Sequence, residues 1–180
     1  MYIYNPNEET SFSQHILDPD QTYHTSHHQE KLYSFFKTLD KPKHIKQIIG
    51  IYMEFYVEPY LFEKNPYFYY KLSPKILEQI IHRLDIGHAN LYIQDSQKFF
   101  LVMFDIHEED LTKILIQFHH YLIEHSFIYH QHQCTIQMKC GVYFSHIGIH
   151  PYHFYAATKE QFESAFYHDN VIISMKHLSL

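Results

Sequence analysis

The spacing of hydrophobic residues along this chain changes several times, and each change marks a predicted element. Gln47–Val57 is nearly continuous in β-branched and aromatic residues, as in a central strand covered on both sides, and Glu54 is its one acidic residue. Leu91 and Ile93 alternate with polar neighbours and Phe99–Phe104 is an apolar run, so residues 89–104 read as a hairpin turning at Asp95 and Ser96. Ile136, Met138, Cys140, Val142 and Phe144 alternate along a further strand ending at Ser145, and Val171–Met175 forms the last.

Helical spacing fills the intervals. Leu32, Phe35, Phe36 and Leu39 share a face behind a Ser26/Gln29 capping pair. Ile76, Leu77, Ile80, Ile81 and Leu84 follow Ser73 and Pro74, with Gly87 as the stop. Leu111, Ile114, Leu115, Phe118, Leu122 and Ile123 run to about His125 behind an Asp105/Glu108 capping pair. Thr158 and Gln161 match the same pattern, predicting a short helix from there with Phe162, Ala165 and Phe166 inward. Helices alternating with strands around one central hairpin predict an α+β fold, with a five-stranded, mainly antiparallel sheet flanked by helices. Residues 1–24 read as an N-terminal extension and 25–180 as a single domain.

Composition narrows the function classes. A formal charge of -6 with Arg83 as the single arginine argues against a nucleic-acid binder, which needs a basic surface for phosphates. No apolar run is long enough for a membrane span and the first residues do not resemble a signal peptide, so a cytoplasmic protein is expected. Cys134 and Cys140 lie six residues apart on one predicted strand, too far separated to bridge.

Eighteen histidines invite a metal reading, yet they fall on every predicted element. His130, His132 and Cys134 share one strand face at separations of roughly 6–7 Å, too wide for one ion, and read as a polar strand end. His146, His150 and His153 occupy a loop that could fold around zinc. On the long helix, His119 falls beside the apolar stripe and His120 on the polar side. Glu54 has a plain structural reading, an ion pair with Lys98 or Lys64. The aromatic residues of 52–70 could line an interface with a partner or with a second copy of the chain.

From about Asp20 to Lys176, the element order resembles the GGDEF (diguanylate cyclase) domain, a relative of nucleotide-cyclase palms. That family carries Gly-Gly-Asp/Glu-Glu-Phe at its hairpin turn; the matching residues here are Asp95, Ser96, Gln97, Lys98 and Phe99, of which only the phenylalanine agrees. The family's acids hold magnesium and the reacting hydroxyl, and Gln97 and Lys98 stand in their place. Glu54 matches a further metal-binding acid at the end of the first strand. Phe62, Lys64 and Asn65 echo the base-contacting segment, while the Arg-x-x-Asp inhibition motif is missing near Ile86 and Ala89.

The resemblance therefore implies a degenerate bacterial signalling domain without cyclase activity. Such a domain would act as a regulatory binding module for a partner protein, a second copy, or a nucleotide such as GTP or a cyclic dinucleotide. Its remnant pocket would comprise Glu54, Asp95, Ser96, Gln97 and Lys98, with magnesium on Glu54 as the one cofactor implied. The alternative is a divergent metal-dependent nucleotide cyclase using Glu54 with Glu58, Glu63 or Asp95.

Overall fold

In a strand, successive side chains point to opposite faces, so a strand apolar at every position has to be covered twice. Gln47–Glu58 meets that condition and lies in the middle of the sheet. The computed structural model describes residues 3–4, 45–58, 80, 83–84, 90–93, 97–129, 132–168 and 171–178. Their strands are β1 (Ile3–Tyr4), β2 (Gln47–Glu58), β3 (Asn90–Ile93), β4 (Lys98–Phe104), β5 (Phe127–Tyr129), β6 (His132–His146) and β7 (Ile173–His177). Two helices accompany them, α1 (Glu108–Glu124) and α2 (Pro151–Phe166).

The sheet runs β1-β3-β4-β2-β6-β5, and β7 joins β6 through the one parallel pairing among the described strands. The predicted hairpin is β3 and β4, with Ile93 opposite Phe99. β2 pairs along its whole length with β6, from Gln47 opposite His146 to Glu58 opposite Thr135. The five predicted strands are thus present in a mainly antiparallel α+β sheet, and the short β1 and β5 extend it. β1 falls within the predicted extension and pairs with Leu91 and Tyr92.

On one face, Ile49, Ile51, Met53, Phe55 and Val57 of β2 join Phe99, Leu101 and Met103 of β4 and the alternate residues of β6 beneath α1. Leu111, Leu115, Phe118 and Leu122 of α1 close this core. Ile80 and Leu84, the described part of the helix predicted after Ser73, are buried in it, and Leu84 N donates to Ile80 O at 3.0 Å. Arg83 lays its guanidinium over the Tyr121 ring, 3.2 Å from its centre. The other face, with Ile48, Tyr52, Tyr92, Phe100, Val102 and Tyr143, is covered by Phe154 and Phe162 of α2. The helix predicted at 26–39 lies outside the described residues.

Two predicted helix starts are corrected. Asp105 does not cap α1, whose N-cap is His107 with no side-chain cap bond. Its carboxylate turns back to accept from the backbone N–H groups of Lys46 and Gln47, at 2.9 and 2.8 Å, and its φ of 51° makes the tight bend between β4 and α1. Thr158 is mid-helix: α2 begins seven residues earlier, at Pro151, where His150 Nδ1 accepts from Tyr152 N and the proline sits at the first position. Thr158 Oγ1 donates to Phe154 O at 2.8 Å, the ordinary in-helix bond of a buried threonine. Phe166, expected inward, is 45% exposed.

Candidate functional site

Where β2 ends, the register decides which side chains meet. Phe55 N donates to Gln97 O at 3.0 Å, so Phe55 and Gln97 are a hydrogen-bonded pair and the next pair inward, Glu54 and Lys98, is a non-hydrogen-bonded one. In such pairs the backbones approach most closely and the side chains stand face to face. Lys98 Nζ lies 4.0 Å from Glu54 Oε1. The lysine is the more open of the two, with 36% of its side chain exposed against 15% for the carboxylate. The strand therefore presents an ammonium outward over a largely covered acid.

Gln97 locks this corner. Its amide Nε2 donates to Phe55 O at 3.2 Å, a second bond across the strand pair at the mouth of the turn. Of the predicted site residues, Glu54, Gln97 and Lys98 are thus brought together. Asp95 and Ser96 lie outside the described residues, as do Glu63 and the side chain of Glu58.

On the other side of Glu54 stands Lys139 of β6, its register partner. The Lys139 ammonium, however, donates to the carbonyls of Ala165 (3.1 Å), His168 (2.8 Å) and Val171 (2.7 Å), tying the end of α2 and the approach to β7 onto the sheet. Sequence reasoning missed this residue. Its signal was a charged residue between Met138 and Cys140 in an otherwise apolar alternation. Aromatic rings form the adjoining wall: Tyr52 packs on Phe162 with centroids 4.8 Å apart, and Tyr56 on Phe166 at 6.1 Å.

Among the described residues, the donors beside Glu54 do not make up a magnesium site. A hard divalent cation requires several oxygen ligands, and here the carboxylate faces an ammonium while the neighbouring amide is bonded to backbone. No group of three His, Cys, Asp or Glu residues that could hold a metal occurs among the described residues. Burial pushes both the Cys134 and Cys140 thiols up, away from the thiolate that metals bind, and neither cysteine is in a disulfide. His150 and His153 stand with ring centres 5.6 Å apart, and His150 serves as the cap of α2. His119 is buried and His120 exposed, as their positions on the helix predicted.

No protein-family model and no curated protein matches the sequence. Solved structures do match. The coiled coil and GGDEF domain of DgcB from Caulobacter crescentus, in complex with c-di-GMP, gives a TM-score of 0.64 at 6% identity over 82% of this chain and 78% of that one. The active GGEEF domain of a diguanylate cyclase from Vibrio cholerae gives 0.64 at 15% identity, over 83% of this chain and 97% of that one. Diguanylate cyclase SiaD from Pseudomonas aeruginosa, in complex with its activator SiaC, gives 0.57 at 10% identity, over 83% of this chain and 56% of that one. In all three the likeness is one of fold, and it agrees with the strand-to-hairpin geometry around Glu54: this chain has a GGDEF-like fold.

Proposed function

We propose that this domain is a cytoplasmic regulatory binding module that has lost cyclase activity and takes its ligand at the corner formed by Glu54 and residues 95–98. The observation that carries the reading is the pairing of Glu54 with Lys98 where metal-dependent condensation of GTP would need a second acid. Losing the metal removes a term worth several kcal/mol in the transition state for attack on a phosphoryl group. What remains among the described residues is a partly covered corner where a carboxylate faces an ammonium, with aromatic rings beside it. The occupant favoured is a nucleotide, GTP or a cyclic dinucleotide. The neighbours solved with c-di-GMP and with the activator SiaC make a small nucleotide or a protein the two kinds of occupant to test first.

Thermal shift of the purified chain against GTP, ATP and cyclic di-GMP tests this, since a ligand at a hundred times its dissociation constant adds about 2.7 kcal/mol of stability. A nucleotide shift that disappears in Glu54→Ala, without cyclic dinucleotide formed from GTP and Mg²⁺ or Mn²⁺, is the expected result. Metal-dependent product formation lost in Glu54→Ala would overturn it in favour of the divergent cyclase. No shift with any nucleotide would move the site's occupant to a protein.

A further inference from the structure

On the side of the sheet away from the β3–β4 hairpin, β7 presents a strand edge. We propose that this edge docks an extended segment of a partner protein by strand addition, with Lys or Arg at the alternate positions of that segment that face α1. The surface is separate from the Glu54 corner, and the inference does not depend on what the corner binds.

The register fixes which main-chain groups the edge offers. Ile172 O accepts from Cys140 N and Leu178 N donates to Phe144 O, both at 2.8 Å. Alternate residues of a strand turn their N–H and C=O groups the same way, so Ser174 and Lys176 also bond to β6, while Ile173, Met175 and His177 direct theirs outward. No described strand lies on that side, and none of the residues from Val171 to Leu178 is buried. The strand is pinned from both faces. On the α1 face, His177 Nε2 lies 2.6 Å from Glu108 Oε2, the His177 ring stacks on Phe144, and Thr112 Oγ1 donates to Met175 Sδ at 3.5 Å. On the α2 face, Ser174 Oγ donates to Gln161 Oε1 at 3.1 Å. A strand already held extended needs little ordering to accept a neighbour.

The flanking side chains choose the occupant. Residues of an added strand opposite Ile173, Met175 and His177 stand on the α1 face, beside the acidic first turn of α1, Glu108, Glu109 and Asp110. Lys113, 3.8 Å from Asp110, offsets one of these charges and leaves the flank acidic. One turn beyond Thr112 on the same flank, Ile116 is 43% exposed, an apolar contact for the stems of lysine or arginine. On the α2 face the edge carries Ile172 and Lys176, both exposed, so positions facing that side favour apolar or acidic residues. A second copy of this chain, paired edge to edge around Met175, would bring two acidic turns together. A segment basic on the α1 face alone meets no such repulsion.

Selection of a phage-displayed library of short random peptides on the whole chain tests the proposal, followed by titration of the enriched peptide in solution. Enriched peptides are expected to carry Lys or Arg at every second position and to bind less tightly as salt is added. Bound peptide should slow hydrogen exchange at the amides of Ile173, Met175 and His177 and leave those of Ser174 and Lys176, already bonded to β6, as they were. Glu109 and Asp110 are exposed, so reversing both with Glu109→Lys and Asp110→Lys should leave the fold intact and weaken that peptide at least about fivefold. Selection repeated on this variant should replace the alternate basic residues with acidic ones. Enrichment of no peptide, a bound peptide without slowed exchange at the outward amides, or affinity untouched by the charge reversal would each overturn the proposal. Slow exchange at those amides in a chain that sediments as a dimer without any peptide would also overturn it, and would give the edge to a second copy.

Discussion

The two faces of β2 differ along their length. Towards α1 the strand presents Ile49, Ile51, Met53, Phe55 and Val57, apolar from end to end and buried throughout. Towards α2 the alternate positions run Ile48, Gly50, Tyr52, Glu54 and Tyr56, and the face passes from aliphatic to charged as it approaches the hairpin turn. The first face supplies the large core under a long helix. The second holds a smaller helix close to the sheet and leaves a polar corner at its end. Apolar burial drives folding in proportion to area, so the α1 face carries more of the stability and the α2 face is freer to carry chemistry.

The contrast predicts opposite sensitivities. On the α1 face, loss of volume should hurt most: Phe118 is buried and packs edge-on against Phe55, with centroids 6.2 Å apart. Phe118→Ala should lower unfolding stability by about 3–5 kcal/mol in denaturant titration. On the α2 face, gain of volume should be the damaging change. A Cβ on Gly141 would land on the backbone of Phe162 and Gln161, which cannot move aside as a side chain can. Gly141→Ala is therefore expected to cost about 3 kcal/mol, and to reduce helical circular dichroism as α2 lifts from the sheet. Equal loss from Gly141→Ala and an alanine placed at an exposed strand position would show that α2 does not press on the sheet.

Between these lies Lys139, whose stem crosses the α2 face to reach three carbonyls. Lys139→Met keeps most of the volume and leaves those carbonyls without the ammonium, an expected loss of about 2 kcal/mol. Protection from hydrogen exchange should fall around 165–171 rather than in α1.

Much of this arrangement is legible in the sequence, because period-2 and period-3.6 patterns are strong wherever a face is fully buried. β2, the β3–β4 hairpin, β6 and α1 are of that kind, and the register following from them brings Glu54 beside Lys98. The start of α2 is not legible. Its signals, His150 as cap and Pro151 at the first position, sit in a histidine- and tyrosine-rich stretch, while Thr158 and Gln161 imitate a capping box in mid-helix. Asp105 imitates one too, since a carboxylate three residues before a glutamate also suits a chain reversal that bonds back to β2. Lys139 is illegible for a different reason. Its role depends on where the α2–β7 connection returns, a tertiary fact that spacing within β6 cannot contain.

The smallest expected effect belongs to the α1 face and is a matter of pH. His119 is the polar exception there: it is 7% exposed, and its Nδ1 has no hydrogen-bond partner among the described residues. Burial holds its pKa below the ordinary imidazole value, with the neighbouring His120 and the charge of Lys139 acting in the same direction. The unfolded ring takes its proton near about pH 6.5, whereas the folded ring waits for a lower pH. Between those two values the unfolded chain binds more protons, so stability declines as pH drops below about 6.5 and stops declining on this account once the folded ring is also charged. Other histidines add their own pH dependence, so the comparison to make is with His119→Leu, measured by urea titration at pH 8 and at successive steps below 6.5. Leucine matches the apolar surroundings and cannot titrate, so the variant should be close to wild type at pH 8 and gain relative stability with each step into acid. Parallel curves for the two proteins would mean that His119 finds a proton-accepting partner in the folded chain, and that the α1 face is less uniformly apolar than its pattern implies.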